Sequence, residues 1–399
     1  MVFSSVTNRI FLMRYWNVLL FVFSLFLCKS DAQLHFASLG NWGSGSSAQY
    51  ACGKTLSVFC EKQPIKHIIS PGSNFIGGID GLNDTKWNTS FTQAYLHSNL
   101  KVPFLTVLGL EDWNKNYTAE IVYTNMTYHT DSIEESKKAT APVWTMPNAW
   151  YHRLDHFRDT TKTGVNFGSS RASVIYVMID TYILSENFPQ QNITELHWND
   201  LRETLTIAGS VVDWVIVVGD KPILSSGASK GDAYLSQTLR QLLKSTNVDA
   251  YISGGDFNME LIEDGSLIHI NCGTGSSSDH IPRTAMPNSV FYDNKVGFCF
   301  HTLTKTDFTT QFVDGHTADI LFEYKKRLNN RPMSYLDRFN KYHKLPMNLY
   351  IPIQLGPTLV MNEKDIFLRI CGTIGLIVAF YLVALLSVVF GSRAFKAIK

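Results

Sequence analysis

Short apolar runs alternate with segments of helical periodicity along most of the chain. The runs are rich in valine and isoleucine and stop at turn residues, a pattern typical of strands that are buried on both faces. They predict strands at residues 34–39, 67–70, 104–108, 173–180, 214–218 and 250–253. The intervening segments predict helices near residues 48–59, 84–95, 195–208 and 233–244.

Further along the chain, the pattern changes from β-α-β units to pairs of neighbouring strands. Segments 259–263, 267–271, 296–303 and 320–324 are hairpin-like and predict antiparallel pairs. The two parts together predict a layered α/β sandwich. Residues 325–361 lose the periodicity and contain four prolines, which predicts a stalk.

The N-terminus has the pattern of a secretory signal peptide. Arg9 and Arg14 precede an uncharged apolar run at 18–28, which is too short to cross a bilayer comfortably. Small residues after this run predict cleavage before Gln33. A short membrane anchor is the alternative, and Met13 is an alternative start.

The C-terminus predicts a transmembrane helix, because residues 370–390 contain no charge and are long enough to cross the hydrocarbon core. Arg393, Lys396 and Lys399 follow, so the positive-inside rule places the short tail in the cytosol and the large domain in a lumen, as in a single-pass type I protein. The predicted organisation is a signal peptide (1–32), a lumenal domain (33–305), final strands and a juxtamembrane stalk (306–365), a transmembrane helix (366–390) and a cytosolic tail (391–399).

Composition and cysteine usage agree with a secreted or lumenal domain. The net charge of +1 argues against a nucleic-acid-binding protein, which would show a basic excess. Five sequons are candidates for glycosylation: Asn83, Asn88, Asn116, Asn125 and Asn192. Cys28 and Cys371 belong to the two apolar ends.

Four cysteines remain in the predicted lumenal domain, and disulfides form in such an oxidising compartment. Cys272 with Cys299, and Cys52 with Cys60, are the pairings we favour, although spacing does not fix the connectivity. The Cys272–Cys299 bridge is expected if strand 267–271 pairs with strand 296–303. The spread of the four residues is wrong for a compact zinc site.

Five predicted strands end in a glycine-containing corner. The corners are GNWG at 40–43, PGSNFI at 71–76, GLEDW at 109–113, GDKP at 219–222 and GGDFN at 254–258. In this order the corners resemble those of the purple acid phosphatase branch of the calcineurin-like metallophosphoesterases, over roughly residues 34–303. The resemblance implies two central β-sheets flanked by helices. It also implies a site at the corners where two Asp, a Tyr, an Asn and three His hold two metals.

Aligned with the family, the site positions carry other residues in this chain. The positions that correspond to the family's metal ligands, or to the histidine beside one of them, are Asn41, Ser73, Ile76, Leu110, Glu111, Asp220, Gly255 and Phe257. Several of these residue types have no side-chain donor, so the resemblance implies a scaffold with no metal cofactor and no catalytic residues. Oxygen donors at the corners have two interpretations, a weak site for one hard cation or ordinary caps of helices and turns. These donors are Asn41, Asp112, Asp220 and Asp256.

Longer strings resemble one membrane-bound branch of the family, the glideosome anchors of apicomplexan parasites. They are FASLGNWG, SPGSNFIGGIDGLND, MPNAWYHRLDHF and YISGGDFNMELIED, together with the predicted terminal span. This resemblance implies a non-catalytic protein that reaches the inner membrane complex through the secretory pathway and tethers the actin–myosin gliding motor there, for motility and host-cell invasion. It implies as partners an unconventional myosin, its light chain and other glideosome-associated proteins. The alternatives are a membrane-tethered acid phosphatase with an altered or residual site, and an adhesion or receptor ectodomain.

Overall fold

A computed structural model describes residues 33–128, 142–158, 171–277 and 283–328. The predicted signal peptide, the transmembrane helix, the cytosolic tail and the stalk beyond 328 lie outside these residues. No helix within the described ranges is both long and apolar enough to cross a membrane.

The described chain forms two seven-stranded sheets. The first contains β1 (Leu34–Ser38), β2 (Ile68–Ser70), β3 (Pro103–Thr106), β4 (Val143–Thr145), β12 (Gly297–Leu303), β13 (Asp307–Asp314) and β14 (Ile320–Arg327), in the order β14-β13-β12-β1-β2-β3-β4. The second contains β5 (Tyr151–Arg158), β6 (Arg171–Met178), β7 (Trp214–Val218), β8 (Ala250–Ser253), β9 (Met259–Asp264), β10 (Leu267–Cys272) and β11 (Ser289–Asp293), in the order β11-β9-β10-β8-β7-β6-β5.

Each sheet has parallel strands at its centre, and the carboxyl ends of these strands lie along one edge. Strands β1 to β4 pair in parallel, as do β6, β7, β8 and β10, while the remaining strands add in antiparallel. The carboxyl ends of parallel strands meet at one edge of a sheet, which is where such folds place their sites. The predicted α/β class with two central sheets is therefore confirmed.

Helices cover the sheets. They are α1 (Ser47–Lys62), α2 (Leu110–Trp113), α3 (Tyr117–Tyr128), α4 (Gln191–Val211), α5 (Ala233–Gln237) and α6 (Leu239–Ser245), with a π-helical segment at Trp87–Thr92 and a 3₁₀ turn at Ser98–Leu100. Helix α1 begins where Ser46 accepts a hydrogen bond from the Gln49 amide, which satisfies one of the open donors of the first turn. Cys52 and Leu56 of α1 are buried four residues apart, so one face of the helix packs on the core.

The main core lies between the two sheets. Phe36 of β1 meets Tyr176 of β6 edge-to-face, with ring centroids 5.4 Å apart, and Trp214 of β7 meets Phe308 of β13 at 6.0 Å. A second apolar cluster lies on the far face of the second sheet and includes Leu205 of α4. Such aromatic contacts contribute roughly 1 kcal/mol each beyond the burial of their area.

The Cys272–Cys299 bridge is confirmed, although the strand pairing expected to support it is wrong. Cys272 ends β10 and Cys299 lies in β12, with Cα atoms 6.1 Å apart. These strands belong to different sheets, so the bridge joins the two sheets across the sandwich. A disulfide needs only this separation between Cα atoms, which facing sheets supply at this end.

The predicted pairing of Cys52 with Cys60 is wrong, since both thiols are free and buried. The two residues lie eight positions apart on the continuous helix α1. A rise of 1.5 Å per residue separates them by about 12 Å along the axis, beyond the reach of a disulfide.

Several element boundaries differ from the prediction. The predicted helix at 233–244 is interrupted at Thr238 and forms α5 and α6, and the segment 84–95 contains the π-helical segment. Strand β14 continues to Arg327, so residues 325–327 are strand and not stalk. The sequence pattern does not predict β4, β5, β11 or β13.

Candidate functional site

The five glycine corners meet at the carboxyl ends of the parallel strands. Asn41, after β1, donates its side-chain amide to the carbonyl oxygens of Gly254 and Gly273 in the corners after β8 and β10. Gly109, after β3, lies so close to Ser73 that an added Cβ would stand 2.2 Å from the Ser73 amide nitrogen. The structure therefore brings together the corners that the sequence singled out.

The Asp220 carboxyl group occupies the centre of this convergence. Its Oδ1 accepts a hydrogen bond from Ser73 Oγ at 3.0 Å, and its Oδ2 accepts one from the Leu110 amide at 3.1 Å. A Cβ built on Gly72 would lie 2.7 Å from the Asp220 Cβ, and one on Gly255 would lie 3.4 Å from both carboxyl oxygens. The carboxyl group thus fills the space between three corners.

Burial controls the charge of this centre. It raises the pKa of Asp220 to about 7, and the neighbouring Asp112 adds to the rise, while hydrogen bonds from Leu110 and Ser73 oppose it. Burial also raises the pKa of Asp180, at the end of β6, to about 7. Near neutral pH these carboxyl groups therefore hold protons that exposed carboxyl groups would have lost.

Asp112 links the corners after β2 and β3 through hydrogen bonds. It accepts hydrogen bonds from the backbone amides of Gly109 at 2.8 Å and of Asn74 at 2.9 Å, and so caps α2 and fixes the corner after β2. Glu120 of α3 lies beside it and accepts a hydrogen bond from the Asn74 side chain at 2.9 Å. Burial raises the pKa of both carboxyl groups.

The four oxygen donors considered for a cation are all engaged in hydrogen bonds of the corners. Asp256 accepts from the Ser225 hydroxyl and, at 2.9 Å, from the Ser229 amide. Asp112, Asp220 and Asp256 do not form a group of adjacent ligand atoms. Within the described ranges, such a group is found at Cys272, Cys299 and His301, where both cysteines are in the disulfide.

Three of the positions that align with the family's site have an unusual backbone. Asn41, Ser73 and Phe257 have φ angles of 50°, 48° and 46°, in the left-handed region that residues with a Cβ seldom adopt. Such conformations cost about 1–3 kcal/mol each and persist where the surrounding structure imposes them. The surrounding structure therefore holds these three corner residues in an uncommon conformation.

Apart from the buried Asp220, the other aligned positions are half-buried or exposed. The Leu110 side chain is 49% exposed, and Glu111 accepts a hydrogen bond from the Gly77 amide at 2.9 Å. Ile76 and Gly255 are half-buried.

Two aromatic residues, on helices α2 and α3, follow Leu110 in the chain. Trp113 stacks on Tyr117 with ring centroids 3.9 Å apart, and its indole nitrogen donates to Asp180 at 2.9 Å. Sequence reasoning missed Asp180 as a site residue. Its signal was available, since an aspartate two residues after a buried parallel strand lies at the same edge of the sheet as the other corners.

Comparison with known proteins identifies the family of this chain. No protein-family profile matches it. It is 39% identical over 377 residues to glideosome-associated protein 50 of Plasmodium falciparum (isolate 3D7), covering 90% of this chain and 93% of that protein. The chain belongs to the glideosome-associated protein 50 family.

Other similarities agree with membership of the glideosome-associated protein 50 family. A solved structure described as GAP50, the anchor in the inner membrane complex of Plasmodium, superposes with a TM-score of 0.71 at 36% identity, covering 82% of this chain and 99% of that one. Purple acid phosphatase 7 of Arabidopsis thaliana is 27% identical over 299 residues, covering 72% of this chain and 85% of that protein. The family thus has a distant similarity to phosphatases, as the corners indicate.

Proposed function

We propose that this protein is the integral membrane anchor that tethers the actin–myosin gliding motor to the inner membrane complex. The observation that carries the proposal is the similarity to glideosome-associated protein 50 along nine-tenths of the chain. The solved relative described as an inner-membrane-complex anchor shares the fold of the described domain, which supports the same role.

Anchoring requires a membrane attachment, for which we propose residues 370–390 as a single span. The described domain would then lie in the lumen, and residues 391–399 would lie on the cytosolic side. We propose that the motor, with its myosin, the myosin light chain and other glideosome-associated proteins, holds the span, the residues next to it or another integral subunit.

We further infer that the domain is not a phosphatase. The residues at the corners do not fit two metals, because Ile76, Leu110, Gly255 and Phe257 offer no side-chain donor. The Asp220 carboxyl group fills the space between the corners and is hydrogen-bonded there to Ser73 and Leu110. The described residues at this centre therefore do not support the tethered-phosphatase alternative.

Affinity purification of the full chain in mild detergent, followed by mass spectrometry, tests the anchor role. We expect a myosin and its light chain to co-purify. A chain that ends at Asp365 serves as the comparison, because it keeps every described residue and lacks the proposed span. We expect it to be secreted and to recover no motor protein. Recovery of myosin by the truncated chain, or its retention in the membrane fraction, would show that the attachment lies elsewhere.

A further inference from the structure

A cavity open to solvent lies over helices α5 and α6, which cover the far face of the second sheet. Its volume is about 530 Å³, and it is lined by Ser236, Arg240, Gln241, Lys244 and Ser245. None of these lining side chains is acidic, aromatic or aliphatic. Pockets that bind small molecules span roughly 300–1,000 Å³, so this cavity has the size for one such ligand. We call it the α6 cavity.

The sequence places the lining residues on one side of the two helices. Ser236, Arg240 and Lys244 follow one another at intervals of four residues, so their side chains share one side. A neighbouring stripe with the same interval is apolar and buried in the cluster on the far face of the sheet. It consists of Leu235, Leu239 and Leu243. The leucines therefore fix the helices on the sheet and leave the polar stripe to face the cavity.

Asp264, at the end of β9, holds the two cations of the cavity in place. Arg240 donates to it from Nε at 2.6 Å and from Nη2 at 2.8 Å, and Lys244 donates from Nζ at 2.8 Å. The Asp264 side chain is 5% exposed and is not part of the lining, so it lies behind the cations. Because the carboxylate already orders both long side chains, a ligand that binds them would lose less side-chain entropy.

The two cations have more donors and more charge than Asp264 neutralises. Among the described residues, the Nη1 group of Arg240 has no protein acceptor. Hydrogen bonds from Arg240 and from His269 lower the pKa of Asp264, so the carboxyl group stays ionised. Burial lowers the pKa of His269, so this ring is neutral near pH 7. Two cations and one carboxylate therefore leave one net positive charge at the cavity.

We propose that the α6 cavity binds a phosphate or sulfate ester of a small hydroxyl-rich molecule, such as a sugar. The tetrahedral anion would accept hydrogen bonds from Arg240 Nη1 and Lys244 Nζ, because charge-assisted bonds are the strong contacts of such groups. Ser236, Gln241 and Ser245 would bind the hydroxyl groups, since hydroxyl and amide side chains both donate and accept. A polar lining offers no packing surface to a nucleobase or an acyl chain.

The α6 cavity is separate from the corners. Asp264 pairs with Leu267 at the start of β10, whereas the corner after β10 begins at Gly273. The cavity therefore lies at the opposite end of β10 from the corners, and all its lining residues belong to the described domain. Binding there needs neither a bilayer nor a cytosolic partner. The site thus agrees with a lumenal domain and goes beyond the anchor function without resting on it.

Isothermal titration calorimetry of the full chain in an uncharged detergent tests the site. The probes are a phosphate monoester of glucose, a sulfate monoester of glucose, inorganic phosphate and glucose itself. The ionic strength is kept constant, because salt screens exposed charges. We expect at least one ester to bind about tenfold more tightly than inorganic phosphate, since its hydroxyl groups add contacts, and glucose to show no binding. The ester of higher affinity identifies the anion.

Two variants test the two kinds of contact. Lys244→Gln removes one cation and leaves Asp264 paired with Arg240, so we expect ester affinity to fall about tenfold. Ser236→Leu fills part of the cavity without a change of charge, and should weaken the esters more than inorganic phosphate. The matched control is Lys54→Gln, which removes an exposed lysine of α1 and should leave the affinity unchanged. Thermal unfolding checks that each variant keeps the fold.

Several results would overturn the proposed site. Glucose that binds as tightly as its esters would show that the cations are not used, and inorganic phosphate that equals the esters would refute an ester as the ligand. Equal losses in Lys244→Gln and Lys54→Gln would show attraction by the general charge of the domain. Failure of both esters to bind at about 10 mM would also refute the site. If Lys244→Gln does not fold, unchanged ester affinity in Ser236→Leu is the result that refutes it.

Discussion

Asp220 and Ser73 are hydrogen-bonded across two corners, with Ser73 Oγ 3.0 Å from Asp220 Oδ1. The two residues stand where the resemblance to the metallophosphoesterases implies a histidine and an aspartate. In this chain a direct contact between side chains links corners that belong to different sheets, after β2 and after β7. The link makes Asp220 the residue whose replacement is most informative.

Replacement of Asp220 by alanine should destabilise the domain. It leaves the partly buried Leu110 amide without its acceptor and an empty space between the corners, which costs about 1–3 kcal/mol of unfolding free energy. Asp220→Asn should cost less than about 1 kcal/mol, because the amide oxygen can accept from Leu110 while the amide nitrogen donates to the Ser73 hydroxyl. Urea denaturation at pH 7 compares them, and equal losses for both variants would contradict the proposed link.

Stability should depend on pH through Asp220. Its pKa is raised from 3.8 to about 7 in the folded state, so between these values the folded protein binds more protons than the unfolded chain. The contribution of Asp220 to the unfolding free energy therefore falls as pH rises from about 4 to 7, by at most about 1.4 kcal/mol per pH unit. The Asp220→Asn variant lacks this dependence, so it should gain stability relative to the parent as pH rises. Denaturation at pH 5 and pH 7.5 measures the difference, and an unchanged or reversed difference would refute the assignment.

Loss of the Cys272–Cys299 bridge should weaken the domain strongly. The bridge closes a loop of 27 residues and joins the two sheets, and removal of such a disulfide typically costs about 2–5 kcal/mol. The double variant Cys272→Ala, Cys299→Ala is the test. Cys52→Ala is a useful comparison, because it removes a buried thiol of similar size without breaking a covalent link. A smaller loss for the double variant than for Cys52→Ala would contradict the role of the bridge.

Cys52 and Cys60 should resist alkylation in the native protein. Burial raises the pKa of both thiols to about 12, so neither the thiolate nor a path to it is available at neutral pH. Mass spectrometry after iodoacetamide treatment should find both unlabelled before unfolding and both labelled after it, without reductant. Labelling of the native protein within minutes would show that α1 opens.

The purified chain should not hydrolyse phosphate monoesters at acidic or neutral pH. Ile76, Leu110, Gly255 and Phe257 offer no side-chain donor to a metal clamp, which would supply several kcal/mol of transition-state stabilisation. An aryl phosphate assay, with and without added iron, zinc or manganese, measures this. Turnover that disappears in Asp220→Ala or Asp256→Ala would establish a working site in altered form.

The sequence predicts the parts of this fold that depend on local pattern. Strands β7 and β8 are largely apolar and are buried on both faces, so their composition alone is enough to predict them. Strand β5 escapes prediction because it buries His152 and Arg153, and β13 because it buries only alternate residues over most of its length. Tertiary packing, which the local pattern does not contain, decides these cases.

The candidate site divides in the same way. The corners are predictable because each follows an apolar strand and carries its own glycine. The central position of Asp220 is not, because it depends on how the β7 corner meets those after β2 and β3. The disulfide shows the limit of prediction from sequence. The pattern indicates the correct cysteine pair, but it predicts that their strands are neighbours in one sheet, whereas the strands lie in different sheets.

The bridge between the sheets also defines how the domain would carry mechanical load. Traction on an anchor would enter through the chain after Arg327, at the end of β14, and pass through β13 to β12 by backbone hydrogen bonds. From Cys299 in β12 the Cys272 bond passes it to β10 in the other sheet. Side-chain packing between the sheets would not have to bear this force alone, so the sandwich would resist being pulled apart sheet from sheet.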